Sequence, residues 1–252
     1  MNSKILKSGH IKLYKRENSK FWQMKIKLPK QKAIRSSSGT NIFKEAEKIA
    51  LNNYSLLNKE NKIKIKKTLN NIFKKMHLVE TADLNKKEIE FILDEAQKFI
   101  SFNKMKIKKN NLLEGRTIFN LFFEDSTRTR TSFEVAAKRL GADLINVAVK
   151  DSSINKGETL LDTMTTINSM NPDVLIIRHP DEGISKKISM NVDACVINAG
   201  DGSHEHPTQA LLDALTIKNR FKNFNKLLIA ICGDILHSRV ARSNIIILSK
   251  LG

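Results

Sequence analysis

The chain has 252 residues, 40% of them hydrophobic, and a formal net charge of +18. That length and composition fit a soluble globular protein of one or two domains. No apolar run approaches the ~18 residues that span a bilayer, and the lysine-rich start lacks the apolar stretch of a signal peptide, so we expect a cytoplasmic protein. Cys195 and Cys232 both lie in apolar runs and are expected to be buried thiols.

The positive charge is concentrated at the start of the chain. Residues 1–67 hold 18 Lys and Arg against 4 Asp and Glu, a net charge of +14, which leaves +4 for residues 68–252. A net charge of +18 alone would suggest a nucleic-acid partner, but this distribution instead indicates two joined segments of different character.

The first segment is predicted to be a small module of three strands and a helix. Residues 11–14 and 21–28 alternate between apolar and polar, which favours an antiparallel sheet. Apolar residues recur at near-helical spacing over 43–57. The lysine-rich run 59–67 is interpreted as an exposed linker, so a domain boundary is predicted near residue 68.

The rest of the chain alternates between helical and strand patterns. After a helix at 86–100, strands are predicted at 117–123, 144–149, 174–177, 194–198 and 227–232, and helices at 131–140, 158–170, 183–190, 208–219 and 240–251. This β-α alternation with short connections predicts an α/β fold in which helices cover both faces of a parallel sheet.

The first motif with clear chemistry follows strand 117–123. Ser126-Thr127-Arg128-Thr129-Arg130 places three hydroxyl groups and two guanidinium groups at the start of a helix. Backbone amides and the helix dipole favour anions there. A simple N-cap beside two solvated arginines is the alternative, and we favour a phosphate site.

Other polar groups follow the neighbouring strands at the same sheet edge. Arg178 follows one strand, and His206 precedes a helix-starting proline with Gln209 one turn on, so both side chains can point into one pocket. A structural histidine is the alternative. The loop 151–158 contains Lys156 and by itself would be a solvated surface loop. The loop 233–239 would be a modest candidate for an anion site.

In their order and spacing these motifs together resemble the aspartate carbamoyltransferases. The motifs are residues 122–134 around the Ser-Thr-Arg-Thr-Arg run, Lys156-Gly157-Glu158-Thr159, Arg178-His179-Pro180, His206-Pro207-Thr208-Gln209 and Gly233-Asp234. The resemblance covers about residue 70 to the end. Ornithine carbamoyltransferases usually have His-Pro-Cys-Gln at the histidine motif, so they are the less favoured alternative.

The resemblance implies a role for each matching residue. Ser126, Thr127, Arg128 and Thr129 would bind the phosphate of carbamoyl phosphate. Arg178 and His206 would polarise its carbonyl oxygen, and Gln209 would accept a hydrogen bond from its amide. Ser152 and Lys156 would enter the site of a neighbouring subunit, Lys156 also reaching aspartate, and Arg239 would bind a carboxylate of aspartate.

The implied reaction transfers a carbamoyl group to L-aspartate, as in pyrimidine biosynthesis. It needs no metal and no organic cofactor, and Arg128, Arg178 and His206 would be the catalytic residues, acting by electrostatic stabilisation. The implied assembly is a homotrimer with shared sites. The resemblance also allows a regulatory subunit or a dihydroorotase as a partner.

Three domains are expected from the charge distribution and the resemblances. Residues 1–67 form a basic extension that resembles the small DNA-binding module of tyrosine recombinases, with a basic extension without a target as the alternative. Residues 68–221 form the carbamoyl-phosphate domain with its linking helix. Residues 222–252 would begin an aspartate domain that is cut short, so we expect the 252 residues alone to bind without turnover.

Overall fold

A computed structural model of the chain describes residues 3–7, 9–28, 32–72, 76–148 and 159–252. The chain divides into two compact units, residues 1–73 and 74–252. Residues 222–252 belong to the second unit together with those before them, and the predicted division at residue 221 stays a prediction. No helix within the described ranges is both long and apolar enough to cross a membrane.

The first unit is a four-stranded antiparallel sheet with one long helix. Its elements are β1 (Ser3–Leu6), β2 (Ile11–Tyr14), β3 (Gln23–Ile26), β4 (Ile34–Ser37) and α1 (Phe43–Ile72), and the strands pair in sequence order. Alternation decides the faces, because successive strand residues point to opposite sides. One face packs on α1 and forms the core, which contains Ile11, Leu13, Met24, Ile26, Ala46 and Ala50.

Two sequence predictions for this unit are wrong. The sheet has four strands rather than three, because the turn-rich segment near residue 35 pairs with β3 as an edge strand. The predicted linker at 59–67 is helical, since α1 runs on to Ile72. Lysine is a good helix former, and a charged segment can extend a helix whose first turns are held by a core.

The second unit is built on a four-stranded sheet that is parallel throughout. Its strands are β5 (Thr117–Phe122), β6 (Asp143–Ala148), β7 (Val174–His179) and β8 (Cys195–Asp201), in the spatial order β6-β5-β7-β8. Its helices are η1 (Thr81–Asp83), α2 (Lys86–Phe102), α3 (Thr127–Leu140), α4 (Leu160–Asn168), α5 (Ile184–Ser189), α6 (Pro207–Phe221) and α7 (Arg239–Leu251). The predicted α/β class is confirmed.

Each face of this sheet buries its own apolar cluster. Phe119 and Leu121 of β5 pack with residues of α4 and α5 on one face. Ile118 and Phe122, which alternate with them, pack with Ala137 of α3 on the other face. Burial on both faces explains why the strands are almost continuously apolar.

The predicted strand at 227–232 does not form. The segment has no regular secondary structure, Leu228 is fully exposed, and Cys232 is exposed rather than buried. The apolar pattern is typical of a buried strand, but a strand needs a neighbour to accept its hydrogen bonds. No described strand lies beside it. Helix α7, by contrast, forms as predicted and packs on α6 and α2.

Candidate functional site

A cavity of about 670 Å³ lies at the carboxyl ends of the parallel strands, where α3, α6 and α7 begin. It is lined by Ser126, Arg128, Thr129, Ser132, Arg178, His206, Gln209, Leu212, Arg239 and Val240. Because strands of a parallel sheet end at the same edge, residues as far apart in the sequence as Ser126 and Arg239 meet here. We call this space the site cavity.

The start of α3 forms one wall of the site cavity. Ser126 is the N-cap of the helix, but its hydroxyl makes no capping hydrogen bond. The amide of Arg130 is the first that donates within the helix, to the carbonyl of Ser126 at 3.0 Å. The first-turn amides therefore have no acceptor within the helix. They and the Ser126 hydroxyl lie at the helix end where the dipole favours an anion.

Two arginines share one carboxylate at the opposite wall. Arg178 Nη2 and Arg239 Nη2 each lie 2.7 Å from Glu124 Oε1. Burial and the positive charge of Arg239 lower the pKa of Arg178, and Glu124 opposes that shift. Arginine nevertheless stays protonated, so three charged groups leave a net positive charge in a half-buried position.

Glycine at the end of β8 lets this wall close around Arg178. Gly200 has φ +113°, and a Cβ there would lie 3.0 Å from Arg178 Nη1. That same nitrogen donates to the carbonyl of Ala199 at 3.1 Å. A side chain at Gly200 would strain the backbone and displace the guanidinium, so the glycine helps to place Arg178.

His206 is nearly buried between the two arginines and the start of α6. His206 is the N-cap residue of α6, but its side chain makes no capping hydrogen bond. Its Nδ1 lies 3.4 Å from Thr208 Oγ1. Burial, together with the positive charges of Arg178 and Arg239, lowers the pKa of His206 to about 4. The imidazole is therefore neutral at neutral pH and can donate one N–H.

Gln209 lies one turn into α6 and faces the same space. Its Nε2 donates to Asp213 Oδ1 at 3.0 Å, and Asp213 also accepts from Asn244 of α7 at 2.7 Å. This anchoring fixes the amide group and leaves its carbonyl oxygen as the acceptor. Gln209 can therefore recognise an N–H donor.

Most of the predicted site residues come together in the site cavity. Those that line it are Ser126, Arg128, Thr129, Arg178, His206, Gln209 and Arg239. Thr127 stands exposed at the start of α3 and does not line it. Ser152 and Lys156 lie outside the described residues. The chemical role assigned to each residue remains a prediction.

The sequence prediction missed four residues that shape the cavity. Ser132, Leu212 and Val240 line it, and Glu124 holds both arginines. Glu124 lies within the motif at 122–134, two residues before the Ser-Thr-Arg-Thr-Arg run, so its position in the sequence could have indicated a place in the site. Its role depended on the meeting of β5, β7 and α7, which a local pattern does not reveal.

Three comparisons with known proteins agree on the relationship of the second unit. Residues 76–219 match the family model for the aspartate/ornithine carbamoyltransferase carbamoyl-P binding domain. The aspartate carbamoyltransferase catalytic subunit of Granulibacter bethesdensis is 57% identical over 180 residues, covering 71% of this chain and 57% of that protein. The corresponding subunit of Pelagibacter ubique is 57% identical over 176 residues, covering 70% of this chain and 56% of the relative.

The fold is also similar to solved structures. Aspartate transcarbamoylase from Trypanosoma cruzi, in complex with carbamoyl phosphate and aspartate, matches with a TM-score of 0.63 and 37% identity, over 69% of this chain and 54% of that one. The chain thus spans a little over half the length of the relatives it matches. The family model covers more than half of the chain, which therefore belongs to the aspartate/ornithine carbamoyltransferase family.

Proposed function

We propose that the site cavity binds carbamoyl phosphate and forms the first-substrate half of an aspartate carbamoyltransferase site. The observation that carries this proposal is the meeting of a helix N-terminus, Arg128, Arg178 and a neutral His206 around one space of about 670 Å³. These groups suit a small ligand with a phosphate at one end and a polar carbonyl at the other.

The phosphate end belongs at α3. The hydroxyls of Ser126 and Thr129 and the first-turn amides, including that of Thr127, supply directional donors, and Arg128 supplies charge. Arg128 is exposed at the cavity mouth, so it can close on a bound phosphate without first breaking a buried ion pair. Arg130 does not line the cavity and supports the loop.

The carbamoyl end belongs between β7 and α6. Arg178 and the neutral His206 each donate to the carbonyl oxygen, and Gln209 accepts from the carbamoyl amide. Arg178 Nε and Arg239 Nη1 are buried donors with no acceptor among the described residues. An unpaired buried donor costs about 1–3 kcal/mol, so an anionic ligand that accepts from these arginines offsets this cost.

The proposed reaction is a carbamoyl transfer. The amine of L-aspartate attacks the carbamoyl carbon, a C–N bond forms, and the C–O bond to phosphate breaks. The amine proton passes to the departing phosphate. Arg128, Arg178 and His206 stabilise the negative charge that develops on the carbonyl and phosphate oxygens, and they hold two anionic substrates together.

The aspartate half of the site needs Arg239 together with residues that lie outside the described part of the chain. Arg239 binds an aspartate carboxylate once it exchanges part of its pairing with Glu124. Ser152 and Lys156 come from a neighbouring subunit of a cytoplasmic homotrimer, and Lys156 also contacts aspartate. A regulatory subunit or a dihydroorotase is a further partner of the assembly. Ornithine is the alternative second substrate.

Arg128→Ala and Arg130→Ala form a matched pair for testing the phosphate assignment. Both remove one exposed arginine from the first turn of α3, so their effects on charge and helix stability are similar. We expect Arg128→Ala to weaken carbamoyl phosphate binding at least about 30-fold, since a charged hydrogen bond contributes about 2 kcal/mol. Arg130→Ala should change it less than about threefold. Isothermal titration calorimetry measures both.

A second assay separates binding from turnover. Purified chain is given carbamoyl phosphate with L-aspartate or L-ornithine, and the carbamoyl product is measured colorimetrically. Binding without product would mean that these 252 residues hold only the first substrate. Equal binding by Arg128→Ala and the unsubstituted chain would overturn the assignment of the phosphate end.

For the first unit we propose binding to duplex DNA. The observation that favours it is a row of cations on the sheet face opposite α1, which we call the outer face. Lys12 pairs with Lys25 in the β-sheet register, and Lys25 pairs with Arg35. Like charges directly opposite one another destabilise a sheet. Such a row is retained at a cost that a polyanion would offset.

Strands β1 to β4 carry no acidic residue, and Glu17 lies in the loop between β2 and β3. The residues of the outer face surround a depression of about 330 Å³, which is lined by Ser3, Lys12, Tyr14, Arg16, Lys25 and Arg35. Glu45 and Glu47 lie on α1 and are engaged there, with Thr40 and Lys4 respectively. The cations of the outer face are therefore available to phosphate groups.

The geometry favours duplex DNA over RNA. Strands lie about 4.8 Å apart, so the row from Lys12 to Arg35 spans roughly 10 Å, close to the ~12 Å width of the B-DNA major groove. Single-stranded RNA needs aromatic stacking platforms, whereas among the described residues this face offers only Tyr14, which Arg16 covers at 5.8 Å. The major groove of duplex RNA is too narrow to admit a sheet.

Salt-dependent fluorescence anisotropy with labelled duplex DNA tests this proposal. We expect log affinity to fall with log salt, and Lys12→Ala/Lys25→Ala to reduce the slope by about 2. Lys44→Ala/Lys48→Ala on α1 removes the same charge from the other layer and should leave the slope nearly unchanged. An equal reduction of the slope in both double variants would mean that binding depends on net charge alone. Tighter binding to single-stranded RNA would contradict the proposal.

A further inference from the structure

A buried carboxylate, Glu205, lies next to His206 and has no part in the chemistry proposed above. Its side chain is 3% exposed. Oε2 accepts hydrogen bonds from the amide of Thr81 at 2.8 Å, from the Thr81 hydroxyl at 2.5 Å and from the Ser243 hydroxyl at 3.0 Å. One oxygen therefore joins η1, the loop before α6, and α7.

Ser243 connects this carboxylate to the backbone of His206. Its hydroxyl donates to Glu205 and accepts from the amide of His206 at 2.9 Å. The hydroxyl is fully buried, and its single proton is directed by Glu205, so its lone pairs face the His206 amide. The carboxylate thus fixes which way the serine bonds, and the serine fixes the N-cap of α6.

The same contact places Arg239. Ser243 lies one turn beyond Arg239 on α7, and the turns of a helix move together. A second link reinforces the position of α7, because Lys250 Nζ donates to the carbonyls of Thr81, Ala82 and Leu84 at 3.0, 2.6 and 2.7 Å. The arginine at one end of α7 and the histidine at the start of α6 therefore share one support.

A carboxylate is a costly way to fill this space unless its position matters. No Lys, Arg or His of the described chain forms an ion pair with Glu205, so neutral donors alone compensate its burial. Burial of a charged group is tolerated only when such hydrogen bonds are complete. A network of this kind specifies one arrangement of the elements that it joins.

We propose that Glu205 and Ser243 are positioning residues, which hold His206 in the geometry needed to bind the carbonyl end of carbamoyl phosphate and Arg239 in the geometry needed to bind a carboxylate of aspartate. They touch no substrate and act through the backbone of His206 and through α7. This inference rests on the proposed function of the site cavity, but the arrangement of His206 can be measured without any substrate.

Ser243→Ala and Ser185→Ala are the matched variants. Both serines are fully buried in helices of the second unit, but Ser185 Oγ lies in α5 and has no hydrogen-bond partner among the described residues. Each change removes one buried hydroxyl. Only Ser243→Ala removes the acceptor of the His206 amide, so the control reports what the loss of a buried hydroxyl does by itself.

The pH titration of the His206 imidazole by NMR is the first readout. The charged groups that face the ring are Arg178 of β7 and Arg239 of α7, with Glu205 beside it in the chain. When the His206 amide loses its acceptor, the ring becomes more hydrated and moves from the arginines. We expect its pKa to rise by at least about one unit in Ser243→Ala and to stay unchanged in Ser185→Ala.

Carbamoyl phosphate affinity, measured by calorimetry, is the second readout. We expect about tenfold weaker binding for Ser243→Ala and a change of less than twofold for Ser185→Ala. If Ser243→Ala fails to fold, Glu205→Gln keeps the size of the side chain, and we expect it to move both readouts in the same direction.

The outcomes separate this inference from the proposed function. Absence of carbamoyl phosphate binding by the unsubstituted chain would overturn the proposed function, and the His206 titration would still decide the positioning role. An unchanged His206 titration in both Ser243→Ala and Glu205→Gln would overturn the positioning role, whatever the binding results.

Discussion

The cations of the two units are arranged in opposite ways. In the site cavity, Arg178 and Arg239 are mostly buried, with side-chain exposures of 12% and 19%, and both contact the same oxygen of Glu124. On the outer face of the first unit, Lys12 and Arg35 are exposed and no ion pair is formed by either within the described residues. One arrangement couples its charges and the other leaves them separate.

This difference shows why net charge says little about function. A shared, half-buried carboxylate makes two arginines act as one unit, because removing Glu124 leaves both without a counter-ion and removing either arginine changes the pairing of the other. Exposed cations are screened by water and salt and act one at a time. The first arrangement suits a small ligand with a fixed geometry, and the second suits a long polyanion.

The largest expected effect is the loss of the shared carboxylate. Glu124→Gln leaves two close guanidinium groups without a counter-ion, and we expect it to lower the free energy of unfolding by roughly 2–3 kcal/mol. Urea unfolding monitored by circular dichroism measures this change. Carbamoyl phosphate should restore part of the lost stability, because its negative charge takes the place of Glu124.

Glu134→Gln is the matched control for this change. Glu134 also pairs with a cation, Lys138 of the same helix, and accepts from Asn146, but the pair lies at the surface. Exposed ion pairs contribute little to stability, so its effect should be far smaller. Similar destabilisation by the two substitutions would mean that the coupling inferred for the site cavity is wrong.

An effect of similar size is the pH dependence that His206 confers on stability. Its pKa of about 4 in the folded chain is below the ordinary value near 6.5, so the unfolded chain binds the proton more readily. Stability from the neutral ring is fully present above about pH 6.5 and is lost as the pH falls toward 4. The total is roughly 3 kcal/mol.

His206→Asn isolates this contribution. The difference in unfolding free energy between the unsubstituted chain and His206→Asn should shrink by up to about 3 kcal/mol between pH 7 and pH 4. Groups common to both chains cancel in that difference. A pH-independent difference for His206→Asn would show that the ring is not held neutral.

Sequence reasoning located the site cavity well because its parts are local motifs at strand ends. Ser126 and His206 are N-cap residues, Thr127 to Thr129 begin α3, and Arg178 lies near the end of β7. A parallel sheet brings those ends together whatever lies between them. Glu124 escaped assignment because its partners are 54 and 115 residues away. The Glu205–Ser243 contact has the same non-local origin.

Two of the errors in secondary structure have different physical causes. Residues 227–232 have the composition of a strand, but pairing is a property of neighbours and not of the segment. The run at 59–67 has the composition of a solvated segment, but lysine favours helix wherever an existing helix can continue. The composition of the run at 59–67 predicts solvent exposure but does not determine the backbone conformation.

The smallest expected effect tests the separate action of the outer-face cations. Lys25→Ala alone should reduce the slope of log affinity for duplex DNA against log salt by about 0.9, and Lys12→Ala should do the same. If the two side chains contact different phosphates, as proposed, and share no carboxylate, the double variant should equal the sum of the singles. Arg178→Ala and Arg239→Ala should instead be strongly non-additive for carbamoyl phosphate, since either change alone alters the pairing of Glu124. Non-additive slopes at the outer face would mean that its cations act as one site, and the contrast between the two units would be lost.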